Sequence, residues 1–167
     1  MSPAIVRVAL LDDAEAIARL VNLAFSAECM FIAGDRTNPD GIRNLFVKGE
    51  FLLLEDPETL VGCVYLEPRG TNSYLGLLAV DPAKQGAGLG SQLMAEAEER
   101  CRSAGRQVME LTVVNRRTDL LRFYGKRGYV ETGTEPFPAP ARMKVPVHLI
   151  RMEKPLTEGL REPHKIR

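Results

Sequence analysis

The glycine-rich junction at residues 82–91 constrains the fold of this chain more than any other part of its sequence. The apolar run at residues 74–80 predicts a strand, and Pro82 ends it because proline has no amide hydrogen to continue a sheet ladder. Apolar residues then recur at helical spacing, at Leu89, Leu93, Met94, Ala97 and Cys101. The chain must therefore pass from strand to helix on a backbone nearly free of side chains, through Gly86, Gly88 and Gly90.

Such a backbone suits the binding of a phosphate group. The first turn of a helix exposes unpaired amide hydrogens and a partial positive charge, and glycines let phosphate oxygens come close to them. The junction lacks the Lys and Ser or Thr of a P-loop, and it lacks the third glycine of the dinucleotide fingerprint. The glycines alone leave two interpretations open, a pyrophosphate site or a tight turn without a ligand.

The rest of the chain alternates strand-like and helix-like patterns. An amphipathic helix begins at Asp12 or Asp13, with apolar residues on one face at Ile17, Leu20, Val21, Ala24 and Phe25. A loop without sustained periodicity follows at residues 26–41, and then a short second helix at 42–49. Strands are predicted at residues 4–11, 50–56, 59–68, 74–80, 107–114, 129–132 and 147–152, with 50–56, 59–68 and 74–80 forming an antiparallel meander. We predict one domain over residues 1–155 and a polar C-terminal tail over 156–167.

Charge and cysteine content narrow the function. The chain carries 22 basic and 22 acidic residues, so no overall field directs it to nucleic acid or to an anionic membrane. Its cysteines, Cys29, Cys63 and Cys101, form no Cys-x-x-Cys pair and have no nearby His to complete a metal site. We interpret them as buried thiols in a reducing cytoplasm and expect no metal. The sequence shows no targeting segment and no stretch of membrane-spanning length, which also favours a cytoplasmic location.

Two motifs together resemble a known family. Gln85, Gly88 and Gly90 match the Gln/Arg-x-x-Gly-x-Gly/Ala signature of the GNAT superfamily of acyl-CoA-dependent N-acyltransferases. The stretch VVNRRTDLLRFYGKRGY at residues 113–129 is similar to the second motif of that superfamily, a helix that carries a Tyr and ends at a Gly before an aromatic strand. More narrowly, FYGKRGYVETGTEPFP resembles a bacterial and fungal branch of small acetyltransferases. The resemblance covers the whole chain in element order.

This resemblance implies an α/β fold and a cofactor. The expected fold has a mixed, mostly antiparallel central sheet of six to seven strands with helices on both faces, in which the parallel strands 4 and 5 splay apart at one end. The implied cofactor is acetyl-CoA, whose pantetheine arm would enter this gap and pair with the main chain of Leu78, Ala79 and Val80. Its pyrophosphate would lie on the turn formed by Gln85, Gly86, Ala87, Gly88, Leu89, Gly90 and Ser91.

The second motif supplies further candidates for cofactor binding. Many members of the family carry an Asn seven residues before the motif Tyr. In this chain Arg117 occupies that place and Asn115 lies nine residues before Tyr124, so both are candidates. Arg117 also belongs to a basic cluster, which could contact cofactor phosphates or could form a solvated helix face. The other members of this cluster are Arg116, Arg122, Lys126 and Arg127.

Transfer of an acyl group from a thioester to an amine needs one group that takes a proton from the amine and one that returns a proton to the thiolate. Tyr124 suits the acid, because an unperturbed Tyr stays protonated at neutral pH, and the alternative for it is a core aromatic. Glu67, near the end of the third strand, is the preferred base, and Glu110, in the fifth strand, is the alternative. Either carboxylate could act through a water, or be only a paired surface carboxylate.

The sequence favours direct transfer. It has no Gly-x-Ser-x-Gly elbow and only two histidines, so a covalent intermediate on a Ser-His-Asp triad has no support. We therefore predict an N-acetyltransferase that acetylates a primary amine of a small molecule or peptide, without a nucleic-acid or membrane partner, as a monomer or homodimer. The alternative is a non-catalytic acyl-CoA-binding or sensing module. In this fold the acceptor site is expected to involve residues 27–44 and 133–145.

Overall fold

The structure, a computed structural model, describes residues 4–157. Its strands are β1 (Ile5–Val8), β2 (Glu50–Glu55), β3 (Leu60–Arg69), β4 (Asn72–Val80), β5 (Val108–Val114), β6 (Val130–Pro136) and β7 (His148–Pro155). Its α-helices are α1 (Ala14–Ala24), α2 (Pro39–Leu45), α3 (Leu89–Ser103) and α4 (Thr118–Gly125), and short 3-10 turns lie at Leu11–Asp13, Phe25–Met30, Pro82–Lys84 and Pro140–Arg142. No helix in this described part of the chain is both long and apolar enough to span a bilayer.

The strands form one seven-stranded sheet in the order β1-β2-β3-β4-β5-β7-β6. Every neighbouring pair is antiparallel except β4 and β5, which run parallel. These two strands pair only where Ser73 meets Met109 and Tyr74 meets Glu110. Beyond Tyr74 they separate, which confirms the predicted mixed sheet and its splay.

Helices cover both faces of the sheet because its central strands are apolar on both sides. In β2, Phe51 and Leu53 pack with α1 and α2, whereas Leu52 and Leu54 pack with α3. Successive side chains of a strand point to opposite faces, so the continuous apolar run of β2 specifies burial on both. The helix predicted after the glycine junction is confirmed as α3, whose Leu93, Met94, Ala97 and Cys101 are buried.

Several predicted boundaries were wrong, for local reasons. The first strand ends at Val8 because Asp13 accepts the Leu10 amide at 2.7 Å and the chain turns there. The second helix begins at Pro39, where Asn38 caps the Gly41 amide at 2.8 Å, and it ends at Leu45 rather than at residue 49.

Two expectations about burial also need correction. Cys63 and Cys101 are buried free thiols, as predicted, but Cys29 is exposed. Leu156 is buried in the main core and its amide donates to the Gln107 carbonyl at 2.8 Å, so the packed domain continues past residue 155. The remainder of the predicted tail, residues 158–167, lies outside the described residues, as do residues 1–3.

Candidate active site

The gap between β4 and β5 leaves an unpaired strand edge in the centre of the sheet. β4 pairs with β3 along its length, but within residues 4–157 its other edge has no strand partner from Leu75 to Val80. β5 pairs instead with β7 throughout. Leu78, Ala79 and Val80, predicted to pair with a pantetheine arm, lie on this free edge, where an extended ligand could add as a strand does.

A bulge in β4 redirects the backbone at the same place. Cys63 pairs with Ala79 and Tyr65 with Gly76, so Leu77 and Leu78 together oppose the single residue Val64. Leu77 has φ of +49°, in the left-handed region that is costly for a residue with a side chain. Such bulges interrupt the ladder and re-aim main-chain groups, and here they do so beside the gap.

The glycine turn stands at the end of that edge. Gly86 and Gly88 have φ of +92° and +80°, which L side chains rarely adopt, and Gly88 is the N-cap of α3. A Cβ built on either would meet no protein atom within 4 Å, so open space lies beside this backbone. No side chain of the described residues caps the first turn of α3, and Gln85 donates to the Val80 carbonyl at 3.2 Å, which ties the turn to β4. An open, uncapped helix start of this kind is compatible with a pyrophosphate, and the predicted contact of this turn with the cofactor stays a prediction.

Tyr124 lies on α4 and is only 6% exposed. Its ring packs edge-on against Phe123 and Tyr129. Burial raises the pKa of its hydroxyl, and the nearby Tyr74 raises it further. Within residues 4–157 this hydroxyl makes no hydrogen bond, so a proton is held in the interior without a protein acceptor.

Glu67 lies on β3 directly across from Tyr74 of β4, beside the closed end of the gap. Tyr65 donates to one of its carboxylate oxygens at 2.8 Å, and Arg69 donates to the other at 3.0 Å. Burial alone would raise the pKa of Glu67, but these hydrogen bonds and the charge of Arg69 outweigh it and lower the pKa. Glu67 is therefore ionised at neutral pH and held in one orientation.

Glu110 lies on β5 at the last paired position before the gap opens, opposite Tyr74. Glu110 is half-buried, and its carboxylate accepts a hydrogen bond from the side-chain amide of Asn72 at 2.8 Å. The two candidate bases thus flank the same tyrosine from neighbouring strands. Tyr74 is a site residue that was not predicted from the sequence, and its ring folds back so far that a Cβ on Gly76 would lie 2.8 Å from it. The sequence does contain a sign of this arrangement, because Gly76 follows Tyr74 by two residues on the same strand, and a glycine inside a strand often marks a close approach of another group.

Asn115 and Arg117 have protein partners. The Asn115 side chain accepts the His148 amide at 3.0 Å, which fixes the start of β7. Arg117 donates to Glu28 at 3.0 Å and to Asp119 at 3.1 Å. Both members of the Arg117–Glu28 pair are largely buried. Burial would lower the pKa of Arg117, but Asp119 and Glu28 raise it, while burial raises the pKa of Glu28 in spite of Arg36 and Arg117. Their predicted contact with the cofactor stays a prediction.

Glu28 belongs to residues 27–44, one of the two segments predicted to shape the acceptor site, and this segment contacts the other, residues 133–145. Ile32 bridges to Met143, and Lys144 donates to the Cys29 carbonyl at 2.7 Å. A cavity of about 140 Å³ opens between these segments, lined in part by Glu28, Arg36 and Phe137. A larger groove of about 910 Å³ lies between the β1–β2 edge and the C-terminal half of α3, and neither the glycine turn nor Tyr124 lines it.

We expect the Arg117–Glu28 pair to stabilise the fold. Glu28→Ala leaves the buried Arg117 with Asp119 alone, so the free energy of unfolding should fall by about 2–3 kcal/mol in urea titrations. The exposed pair Arg43–Asp40 is the control, since Arg43→Ala should cost about 0.5 kcal/mol or less. Arg117→Ala should destabilise the fold to a similar extent. A weaker CoA complex in Arg117→Ala but not in Glu28→Ala, measured by calorimetry, would support the predicted role of Arg117 as a cofactor ligand.

The family model for the acetyltransferase (GNAT) domain matches residues 33–140, which include the gap, the glycine turn and Tyr124. The chain belongs to the GNAT acetyltransferase family. This confirms the resemblance seen in the two sequence motifs and the predicted acetyltransferase class.

Relatives agree with this assignment. Over 55 residues the chain is 44% identical to the aminoalkylphosphonate N-acetyltransferase of Salmonella typhimurium, a match that covers 33% of this chain and 36% of that relative. The chain thus spans little more than a third of the length of this curated relative. The fold is similar to that of yncA from Salmonella typhimurium, solved with its cofactor acetyl-CoA, with a TM-score of 0.74, 22% identity, and 94% and 96% of the two chains covered. It is also similar to the ribosomal-protein-S18-alanine N-acetyltransferase of Escherichia coli, with a TM-score of 0.73, 15% identity, and 93% and 95% covered.

Proposed function

We propose that the protein is an N-acetyltransferase that moves an acetyl group from acetyl-CoA to a primary amine by direct transfer. Three features of the described residues support this proposal, and the gap between β4 and β5 carries it. These are the free edge of β4 with its bulge, the open glycine turn at the start of α3, and the buried hydroxyl of Tyr124. A phosphate site alone would need only the second.

The residues that would hold the cofactor divide into two groups. Leu78, Ala79 and Val80 offer main-chain groups to an extended arm, and the turn from Gln85 to Ser91 offers unpaired amides to the pyrophosphate. When bound, acetyl-CoA supplies the thioester whose acetyl group is transferred. The protein itself positions this group, excludes water from the gap and moves protons.

Tyr124 is the proposed acid. Its raised pKa keeps the hydroxyl protonated throughout the neutral and mildly alkaline range, so a proton is always available for the departing thiolate. This buried hydroxyl also has no competing hydrogen-bond acceptor among the described residues.

Glu67 is the proposed base, acting through a water, because it is ionised and lies beside the closed end of the gap. Glu110 is the second candidate, on the other side of Tyr74. The two variants Glu67→Gln and Glu110→Gln are matched controls for each other. The variant that removes the base should transfer acetyl groups about 10²-fold more slowly than the parent near neutral pH. Its rate should recover toward high pH, where the amine is already unprotonated.

The rate of acetyl transfer, measured as a function of pH for both variants, decides whether Glu67 or Glu110 is the base. If only Glu110→Gln shows the recovery, the base is on β5. If neither variant slows transfer, no carboxylate at the gap is the base. Glu67→Gln should also be tested for unfolding, because it disturbs the bonds of Tyr65 and Arg69.

The acceptor amine belongs to a small molecule or a peptide. The names of the two N-acetyltransferases above cover both kinds, an aminoalkylphosphonate and an alanine of a ribosomal protein. We propose that the protein works in the cytoplasm as a monomer or homodimer.

A screen of amines tests the activity. Thiol release from acetyl-CoA is measured with polyamines, amino acids, aminophosphonates, aminoglycosides and peptides with free N-termini, and mass spectrometry identifies the acetylated product. Amine-dependent release that Tyr124→Phe abolishes is the expected result. CoA binding in calorimetry without release for any amine would favour the alternative, a non-catalytic acyl-CoA-binding or sensing module. Absence of CoA binding would refute both.

A further inference from the structure

We propose that Arg127 binds the pyrophosphate of the cofactor from the loop after α4, outside the glycine turn. The inference rests on the proposed function, because it adds a ligand to the same cofactor site. The GNAT signature residues Gln85, Gly88 and Gly90 do not include it, and neither does the motif Tyr. It comes from how the structure divides the basic cluster.

The other members of that cluster are used elsewhere or point to solvent. Arg116 donates to the Pro146 carbonyl at 3.1 Å, and Arg117 is paired with Glu28 and Asp119. Arg122 and Lys126 are exposed. Among residues 4–157, no hydrogen bond or ion pair joins any of these four side chains to the glycine turn.

Arg127 is held at the start of α3 by contacts on both sides of its guanidinium. One nitrogen donates to the Phe123 carbonyl at 2.9 Å, and another donates to the Ser91 hydroxyl. The guanidinium carbon lies 3.7 Å from the centre of the Phe123 ring, in a cation–π contact. Ser91 belongs to the first turn of α3, so this cation is fixed beside the unpaired amides of that turn.

Phe123 joins Arg127 to the glycine turn. Its ring comes within 3.5 Å of the position of a Cβ on Gly90. The Phe123 ring therefore contacts the glycine turn at Gly90 and also packs against the Arg127 guanidinium. Arg127, Phe123 and the turn form one continuous wall of the site.

The charge of Arg127 has no counterpart in the described chain. Among residues 4–157 no carboxylate lies within ion-pair distance of it, although the side chain is half-buried. Two of its five N–H groups are used, which leaves three as donors. The first turn of α3 likewise lacks a side-chain cap. A diphosphate would accept hydrogen bonds from the Arg127 guanidinium and from the uncapped amides of α3. Those from the guanidinium are charge-assisted, and its planar shape allows it to make them in pairs.

Calorimetry with CoA tests this assignment. Arg127→Gln should weaken CoA binding by about 10- to 100-fold, the range for hydrogen bonds to a charged group. Arg127→Lys keeps the charge but loses the fork and should fall between the parent and Arg127→Gln. Arg122→Gln removes the same charge from the exposed side of α4 and should weaken binding by about threefold or less, because salt screens it. An equal loss in both Gln variants would overturn the assignment in favour of a general electrostatic effect.

Shortened ligands show which phosphate Arg127 binds. Dephospho-CoA lacks the 3′-phosphate and pantetheine lacks every phosphate. The loss on Arg127→Gln should be the same for CoA and dephospho-CoA and absent for pantetheine. A loss seen with CoA but not with dephospho-CoA would place Arg127 at the 3′-phosphate and overturn the proposal, as would unchanged CoA affinity. If Arg127→Gln does not fold, the same comparison with Arg127→Lys decides, and failure of the parent to bind CoA would instead refute the proposed function.

Discussion

Tyr124→Phe is expected to lower turnover by about 10²- to 10⁴-fold, the usual range for a positioned acid. The substitution keeps the ring, so the edge-on contacts with Phe123 and Tyr129 remain. It removes one hydroxyl that makes no hydrogen bond within the described part of the chain, so no partner is left unsatisfied. Stability should therefore stay the same or rise slightly, and CoA affinity should change little. A buried hydroxyl without a partner is costly to a fold, which is the reason to assign it a function.

Three measurements separate the acid role from a packing role. Thermal unfolding and CoA calorimetry should match the parent, while the rate of acetyl transfer should not. The deficit should extend over the neutral and mildly alkaline range, since the raised pKa keeps Tyr124 protonated there. Equal turnover of parent and variant at every pH would show that solvent protonates the thiolate.

The sequence was sufficient for the sheet and for the helix after the glycines. The three-strand meander followed from apolar runs separated by turns, and the splay followed from the family motifs. Both depend on local patterns that a single sequence displays. The bulge at Leu77 was not predictable, because a β-bulge depends on the register with β3 rather than on local composition.

The side-chain partners at the site could not be predicted from the sequence, because the residues that contact each other are far apart in the chain. Arg117 stands where the family pattern carries an Asn, but its partner Glu28 is 89 residues away in a segment without periodicity. The same holds for Arg127 and Ser91, which are 36 residues apart. Spacing brought five basic residues together as candidates, and only tertiary packing distinguishes the one at the start of α3.

Gly90→Glu should weaken CoA binding severely without unfolding the protein. Gly90 does not have positive φ, and its Cβ would make an ordinary contact, 3.5 Å from Phe123, so a side chain can be accommodated. A carboxylate in the first turn of α3 interacts favourably with the helix dipole, and stability should not suffer. The same carboxylate repels a pyrophosphate and occupies its approach, so CoA affinity should fall by about 10²-fold or more.

Gly90→Ala is the matched control, since it adds the Cβ without the charge and should weaken CoA binding far less. Gly88→Val is a poorer test, because φ of +80° strains any side chain and would disturb the start of α3 by itself. Thermal unfolding with and without CoA reports fold and binding together: CoA should raise the midpoint of the parent and of Gly90→Ala, but not that of Gly90→Glu. A folded Gly90→Glu protein with the CoA affinity of the parent would show that the glycine turn does not hold the pyrophosphate. In that case the open backbone at Gly86 and Gly88 would be only a tight turn between β4 and α3.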